Sequence, residues 1–182
     1  MTDAEPLDLA VLGGTLVSST ARSPLDLGVR DGRIVAVAPR GTLPAARHTV
    51  DATGLLVLAG MVDTHFHCRA PDRPEREDFD SGTAAAAAGG VTTILEMPIT
   101  EPACTTPEVL AARMDLAARQ ARIDVGFYAA PGDLDSARLE EMLAVGAVAF
   151  KVMMHDAPPG REGSFLGLAM PEDRELYLAL EA

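Results

Sequence analysis

The chain has no tryptophan, and aromatic residues make up only 4% of its 182 residues. Its core must therefore be built mainly from aliphatic and alanine side chains. The two cysteines, Cys68 and Cys104, are too few for a disulfide framework, which indicates a reducing compartment and predicts a cytoplasmic location. No apolar run is long enough to cross a bilayer, and the acidic start of the chain differs from a signal peptide.

Basic residues are also in the minority. Fifteen Lys and Arg residues stand against 27 Asp and Glu residues, which gives a formal charge of −12 at pH 7. This balance argues against nucleic acid or an anionic membrane surface as a partner. A composition that is 48% hydrophobic and 23% charged is typical of a globular protein.

The first third of the chain has the pattern of short strands and turns. Apolar residues at 7–12, 15–17, 25–30 and 33–37 are separated by glycine-containing or polar segments. The Asp31-Gly32 dipeptide between the last two of these is a hairpin turn signal. We predict a small β module over residues 1–57, with a sandwich-like arrangement.

From about residue 58 the pattern changes to alternating strands and helices. Strands are predicted at 62–67, 91–97, 123–128 and 146–154, and helices at 80–88, 106–122, 135–145 and from 171 onward. Asp80 or Ser81 is the expected N-cap of the first helix. Four such units predict a parallel sheet in an α/β fold.

A closed (β/α)8 barrel needs about 250 residues. Residues 58–182 therefore predict the first four βα units of an incomplete barrel. An open doubly wound sheet is the alternative, but its glycine-rich phosphate loop is missing, because Gly89-Gly90 precedes a strand and does not open a helix.

The end of the first predicted barrel strand carries two histidines one residue apart. In an extended strand His65 and His67 point to the same face, and two neutral imidazoles on one face make half of a metal site. Asp63 has the same parity and is expected to orient a ligand histidine from behind. The pair alone is a weak signal, since short repeats of this kind also occur on solvated surfaces.

Lys151 stands in the apolar stretch of the fourth predicted strand. Burying an ammonium group is costly. Either the strand lies at an edge and the lysine reaches water, or the amine is neutral and has reacted with carbon dioxide to form a carbamate. A carbamate is an anionic ligand with two oxygens that can bridge two metal ions. His65, His67 and Lys151 all fall at the carboxyl ends of predicted parallel strands, the catalytic face of barrel enzymes.

These segments resemble the cyclic amidohydrolases, the dihydroorotase, allantoinase and hydantoinase branch of the amidohydrolase superfamily. The resemblance rests on residues 60–67, 77–94, 97–98 and 149–151, and it covers nearly the whole chain. It implies that His65 and His67 bind one zinc ion and that carboxylated Lys151 bridges it to a second. It also implies two more histidine ligands and an aspartate base, which we expect beyond residue 182.

The same resemblance implies metal-dependent hydrolysis of a cyclic amide or ureide. Its cofactors would be two divalent metal ions, zinc in the first place, and carbon dioxide for the carboxylation of Lys151. Arg69 continues the parity of the histidines, and His-x-His-x-Arg resembles dihydroorotase, in which this arginine binds a substrate carboxylate.

Other positions favour a different member of the branch. Ile99 stands where dihydroorotases typically have asparagine, and Asp156 stands where hydantoinases usually have tyrosine. The segments 97–106 and 124–128 look more like allantoinases. We therefore expect allantoinase-like ring opening of a ureide, with dihydroorotase as the alternative.

The last predicted helix has no C-cap signal and still continues at Ala182. We expect the N-terminal portion of a longer protein, which would form a homo-oligomer when full length, and we expect this chain alone to be inactive. The alternative from another class is a truncated, non-catalytic homologue or partner subunit. Its open sheet edges would invite self-association.

Overall fold

The computed structural model describes residues 5–181. Residues 1–4 and Ala182 lie outside them. The contacts divide the chain into two compact units, Met1–Ala59 and Gly60–Ala182.

The described part of the first unit consists of short strands in two sheets. They are β1 (Leu7–Leu12), β2 (Thr15–Val17), β3 (Arg22–Ser23), β4 (Leu25–Arg30), β5 (Arg33–Pro39), β6 (Ala46–Asp51) and β7 (Leu56–Val57). One sheet has the order β5-β4-β1-β6 and the other the order β3-β2-β7. Asp31 and Gly32 have φ angles of 51° and 68°, as the tight turn between antiparallel β4 and β5 requires. The hairpin predicted there is confirmed.

A buried carboxylate ties two loops of the first unit together. Asp26, on β4, is 2% exposed and accepts hydrogen bonds from the backbone N–H groups of Gly13 and Gly41, each at 2.8 Å. These two bonds, with a smaller contribution from the Arg40 guanidinium, hold the pKa of Asp26 below its ordinary value. The ionised carboxylate is therefore the form that stabilises these loops.

The second unit alternates strands and helices. The strands are β8 (Met61–Phe66), β9 (Val91–Glu96), β10 (Asp124–Ala129) and β11 (Ala147–Phe150), and the helices are α1 (Phe79–Ala88), α2 (Pro107–Gln120), α3 (Ser136–Val145) and α4 (Asp173–Glu181). A short 3-10 helix covers Gly163–Phe165. The four strands form one parallel sheet in the order β11-β10-β9-β8. The prediction of an α/β fold with a parallel sheet is confirmed.

The helix starts follow capping chemistry. The N-cap of α1 is Asp78, so the predicted caps at Asp80 or Ser81 were wrong. The Asp78 carboxylate accepts from the Ser81 backbone N–H at 2.7 Å, and the Ser81 hydroxyl accepts from the Asp78 N–H at 3.3 Å. This reciprocal pair moves the start of the helix forward, to Phe79. Thr106 caps α2, with Pro107 in its first turn.

The fourth barrel strand is shorter than predicted. It ends at Phe150, and the N–H of Lys151 donates to the carbonyl of Ala129 at 2.8 Å. The chain then leaves the sheet, because Met153 pairs with Leu168 and Met170 across a loop. Met153 thus packs against a separate cluster, whose buried members are Ile99, Ala130, Phe165 and Leu168, whereas Met154 is exposed.

The core of the second unit lies between the sheet and its helices. Alanine and aliphatic side chains fill most of it, as expected for a chain with few aromatics. Two of the five phenylalanines, Phe79 and Phe127, pack in it with ring centroids 6.0 Å apart. Among the helices of residues 5–181, none has the length and apolar character needed to cross a membrane.

The Asp26 carboxylate gives the first unit a specific dependence on pH. Because its pKa is lowered on folding, its stabilisation is complete above the ordinary value of 3.8 and is lost as the pH falls through the folded-state value. We expect Asp26→Asn to lower the unfolding temperature of the natural chain at pH 7, and the gap to wild type to narrow below about pH 4. Asp31→Asn, an exposed control in the same unit, should leave the unfolding temperature unchanged. A gap that is constant between pH 7 and 3 would contradict this role.

Candidate metal centre

The histidine pair lies where β8 ends. His65 is the residue before Phe66, the last residue of β8. His67 is the first residue after the strand. Their ring centroids are 5.4 Å apart, with the ring planes tilted by 57°. His65 is exposed and His67 is half-buried. The two imidazoles are thus neighbours at the carboxyl end of an edge strand of the described sheet.

His67 is held as a neutral ring. Burial is the largest cause that lowers its pKa, followed by the positive charges of Arg69, His65, Lys151 and Arg113, and together they bring it to about 4. Its Nδ1 atom is buried and has no hydrogen-bond partner among the described residues. A buried, neutral imidazole with an unsatisfied ring nitrogen suits a metal ligand, which must offer a free lone pair.

Lys151 follows the strand at the other edge of the sheet, and its positive charge lowers the pKa of His67. In a flat sheet, three interstrand spacings of about 4.8 Å would separate β8 from β11 by about 14 Å. Lys151 nevertheless contributes to the pKa of His67. Twisting and coiling of a parallel sheet curve it in this way. Lys151 is half-buried, directly after the last residue of β11.

Asp63 and Arg69 lie on either side of the histidine pair in the chain. The Asp63 carboxylate accepts from the backbone N–H of His65 at 3.0 Å, so its contact is with the main chain of a histidine. Arg69 has a φ of 51°, in the left-handed region. The extended geometry used to predict where Arg69 points therefore ends at this residue. Its proximity to His67 comes from a turn and not from strand alternation.

The group around His67 carries an excess of positive charge. Arg69, Lys151 and Arg113 all act on it as cations. Within residues 5–181, no three His, Cys, Asp or Glu side chains are grouped so that they could hold a metal ion. The two imidazoles fit half of a metal site, and a dication would need an anionic ligand here as well.

Sequence reasoning missed a buried ion pair beside this site. Glu96, the last residue of β9, and Arg113, on α2, are 1% and 3% exposed, and their charged atoms are 2.9 Å apart. Burial raises the pKa of Glu96, and the Arg113 guanidinium opposes that rise. A signal was available: Leu110, Arg113 and Ala117 recur at helical spacing, and all three are buried. That spacing places Arg113 on the inner face of α2.

Known proteins match this chain in sequence. A family model described as "Amidohydrolase family" matches residues 56–158. An allantoinase from Salmonella choleraesuis (strain SC-B67) is 37% identical over 145 residues, which cover 79% of this chain and 32% of that protein. The chain therefore spans about a third of the length of the curated relatives it matches.

Solved structures match it as well. An L-hydantoinase (dihydropyrimidinase) from Arthrobacter aurescens superposes with a TM-score of 0.85 at 33% identity, covering 95% of this chain and 37% of that one. A D-hydantoinase superposes with a TM-score of 0.79 at 28% identity, covering 96% and 37%. These neighbours confirm the prediction of the first part of a (β/α)8 barrel preceded by a β module.

The titration of His67 tests the environment described above. In the metal-free natural protein, we expect the His67 ring to stay neutral until the pH approaches about 4, where an ordinary histidine would titrate near 6.5. Because its folded-state pKa is depressed, His67 should lower the stability of the protein as the pH falls from about 6.5 toward 4. NMR of the ring carbon protons measures this directly, with His67→Asn to assign the signal. A midpoint near 6.5 would show that the ring is not desolvated.

Proposed function

The chain belongs to the amidohydrolase family, in its cyclic amidohydrolase branch, and we propose that the natural protein hydrolyses the ring amide of a cyclic ureide in a metal-dependent reaction. One observation carries the proposal. A half-buried, neutral His67 with a buried, unsatisfied ring nitrogen lies beside His65, and the charge of Lys151 acts on it, at the carboxyl ends of parallel strands. In barrel enzymes this end of the sheet holds the chemistry.

The lysine itself supports a carbamate. Lys151 is the single lysine of this 182-residue sequence, against 14 arginines. A guanidinium stays protonated and cannot add to carbon dioxide, whereas a neutral lysine amine can. In the proposed step the Nζ lone pair forms a bond to the carbon of carbon dioxide, and one amine proton leaves to water. The product is a singly charged anion with two oxygens.

Carboxylation of Lys151 would also reduce the positive charge at the site. Uncarboxylated, Lys151 adds a positive charge to a region that already contains the guanidinium of Arg69. Such a region repels a divalent cation, and the repulsion is strong where burial lowers the effective dielectric constant. A carbamate replaces one positive charge by a negative one. We propose that His65 and His67 hold one metal ion, zinc, and that the carbamate bridges it to a second.

The remaining residues of the site would position and bind. Asp63 holds the backbone of His65 and so limits the directions its ring can take. Arg69 would bind an oxygen of the substrate, a task that suits the planar guanidinium. When bound, the metal ions would polarise the amide carbonyl and activate water. The proton-transferring base is expected to be an aspartate beyond residue 182.

Allantoin is the proposed substrate. The relative named above is an allantoinase that shares 37% identity over the matched region. Ile99, at the position where dihydroorotases typically have asparagine, is 8% exposed and packs in the cluster with Phe165 and Leu168. It therefore offers no amide to a substrate carboxylate, which argues against the dihydroorotase alternative.

Replacing the lysine tests the carbamate. We expect Lys151→Ala to lower kcat of the natural protein by about a hundredfold or more, because a bound metal supplies several kcal/mol of transition-state stabilisation. Short carboxylates such as acetate or propionate should restore part of the activity. Lys151→Arg, the matched control, keeps the positive charge but cannot be carboxylated. It should be inactive, and added carboxylates should not restore its activity. Full activity of Lys151→Ala in carboxylate-free buffer would refute the carbamate.

A substrate panel tests the specificity. The natural, zinc-loaded protein would be assayed with allantoin, dihydroorotate, hydantoin and dihydrouracil. We expect kcat/KM for allantoin to exceed each of the others by at least about tenfold, because a site built for polar ureide groups rejects analogues that leave those groups unpaired. A preference for dihydroorotate would make the alternative correct. No turnover of any of the four would contradict cyclic amide hydrolysis.

A further inference from the structure

We infer that Glu96 is a positioning residue for the histidine pair, and that it acts through the backbone of Cys68 with Arg113 as its buried partner. The inference deepens the proposed function, because it concerns the same metal site. It assigns a task to a carboxylate that lies in the core of the second unit and does not belong to the ligand set.

The pairing of β8 with β9 ends at Phe66, next to His67. The N–H of Met97 donates to the carbonyl of Phe66 at 2.9 Å, next to the point where β8 and β9 end. The next inward donor on the histidine strand is the N–H of Cys68, which is buried. It donates to Oε2 of Glu96 at 2.9 Å. A side-chain carboxylate thus takes the place of the next strand partner, and it anchors the chain immediately after His67.

The hydrogen bond between the Cys68 N–H and Glu96 fixes the backbone next to His67. Cys68 is fully buried and lies between His67 and Arg69, whose left-handed φ of 51° turns the chain away from the strand. A fixed Cys68 N–H defines the peptide plane that joins it to His67. The direction of the His67 side chain depends on that plane. Without the carboxylate, a buried N–H would lose its partner at the point where the chain changes direction.

The Glu96 carboxylate is itself held by Arg113. Its other oxygen, Oε1, accepts from Nη2 of Arg113 at 2.9 Å, and Nη1 of Arg113 donates to the carbonyl of Met97 at 3.3 Å. The Arg113 guanidinium carbon lies 5.8 Å from the ring centroid of Phe127, on β10. Both oxygens of Glu96 are therefore used, and the pair connects the histidine segment with β9, β10 and α2.

Glu96 also balances the positive charge of Arg113 near the histidines. Arg113 is one of the cations that act on His67. The Glu96 carboxylate neutralises it at 2.9 Å. Removal of the carboxylate would leave an uncompensated guanidinium beside a site for dications. Loss of Glu96 should therefore weaken metal binding both by loosening the ligand segment and by adding repulsion.

The first measurement uses the metal-free natural protein. Amide hydrogen exchange would be followed at Cys68 and, as an internal reference, at Leu95 in β9. We expect Glu96→Gln to speed exchange at Cys68 relative to Leu95 by at least about tenfold, the effect of losing a hydrogen bond to a charged acceptor. In the variant, the introduced amide cannot accept from both Cys68 and Arg113.

Two further variants separate positioning from general destabilisation. Leu110→Ala removes a fully buried side chain from the same helix, one turn before Arg113, and leaves both partners of the Cys68–Glu96 hydrogen bond in place. It should lower the unfolding temperature and leave the exchange ratio unchanged. The double variant Glu96→Leu with Arg113→Met removes the acceptor of the Cys68 N–H and buries no charge. It should show the same faster exchange at Cys68, and it keeps the test valid if Glu96→Gln alone does not fold.

The second measurement is the affinity for Zn²⁺, by competition with a chelator, together with the visible spectrum of the Co²⁺ form. We expect Glu96→Gln to weaken binding by about tenfold to a hundredfold and to change the Co²⁺ spectrum, with Leu110→Ala unchanged in both. If the wild-type protein binds neither metal, the proposed function fails, and the exchange ratio still decides whether Glu96 holds the segment. An unchanged exchange ratio in both Glu96 variants, or an equal change in Leu110→Ala, overturns the inference.

Discussion

Parallel pairing of β8, β9, β10 and β11 is the constraint on which the site depends. Because all four strands run in the same direction, their carboxyl ends lie at one edge of the sheet. His65 and His67 come from one outer strand of this set and Lys151 from the other, so that no local pattern could bring them together. Parallel pairing places both at the carboxyl edge of the sheet, and the helices stabilise the sheet by burying the aliphatic and alanine core against it.

Electrostatics then decides what the site can hold. The strand ends collect cations around His67, and burial keeps its ring neutral. This combination is unfavourable to a metal ion unless one cation changes sign. The proposed carbamate of Lys151 makes that change, in a sequence that uses arginine at its other 14 basic positions. Glu96 and Arg113 balance each other next to this region, so the pair adds rigidity to it without adding net charge.

Particular elements show how far sequence reasoning reached. The strand–helix alternation, the Asp31-Gly32 hairpin and the start of α2 near Thr106 were predicted correctly, because each depends on neighbours within a few residues. The α1 cap was wrong because two acidic residues, Asp78 and Asp80, compete there, and the reciprocal bonds with Ser81 decide between them. The fourth strand was predicted too long because Met153, after Lys151, pairs with Leu168 and Met170 and packs against a cluster of residues that are distant in sequence.

The sequence by itself determined the α/β alternation, the histidine spacing and the family, since periodicity, local capping and contiguous motifs are properties of adjacent residues. Tertiary structure alone decided three things about the site. It set the approach of Lys151 to His67 across the sheet, the turn at Arg69 that ends the strand alternation, and the burial of Glu96 against Arg113 and Cys68. Each depends on contacts between segments that are distant in the chain. Such contacts arise only when the sheet curves and the helices close over it.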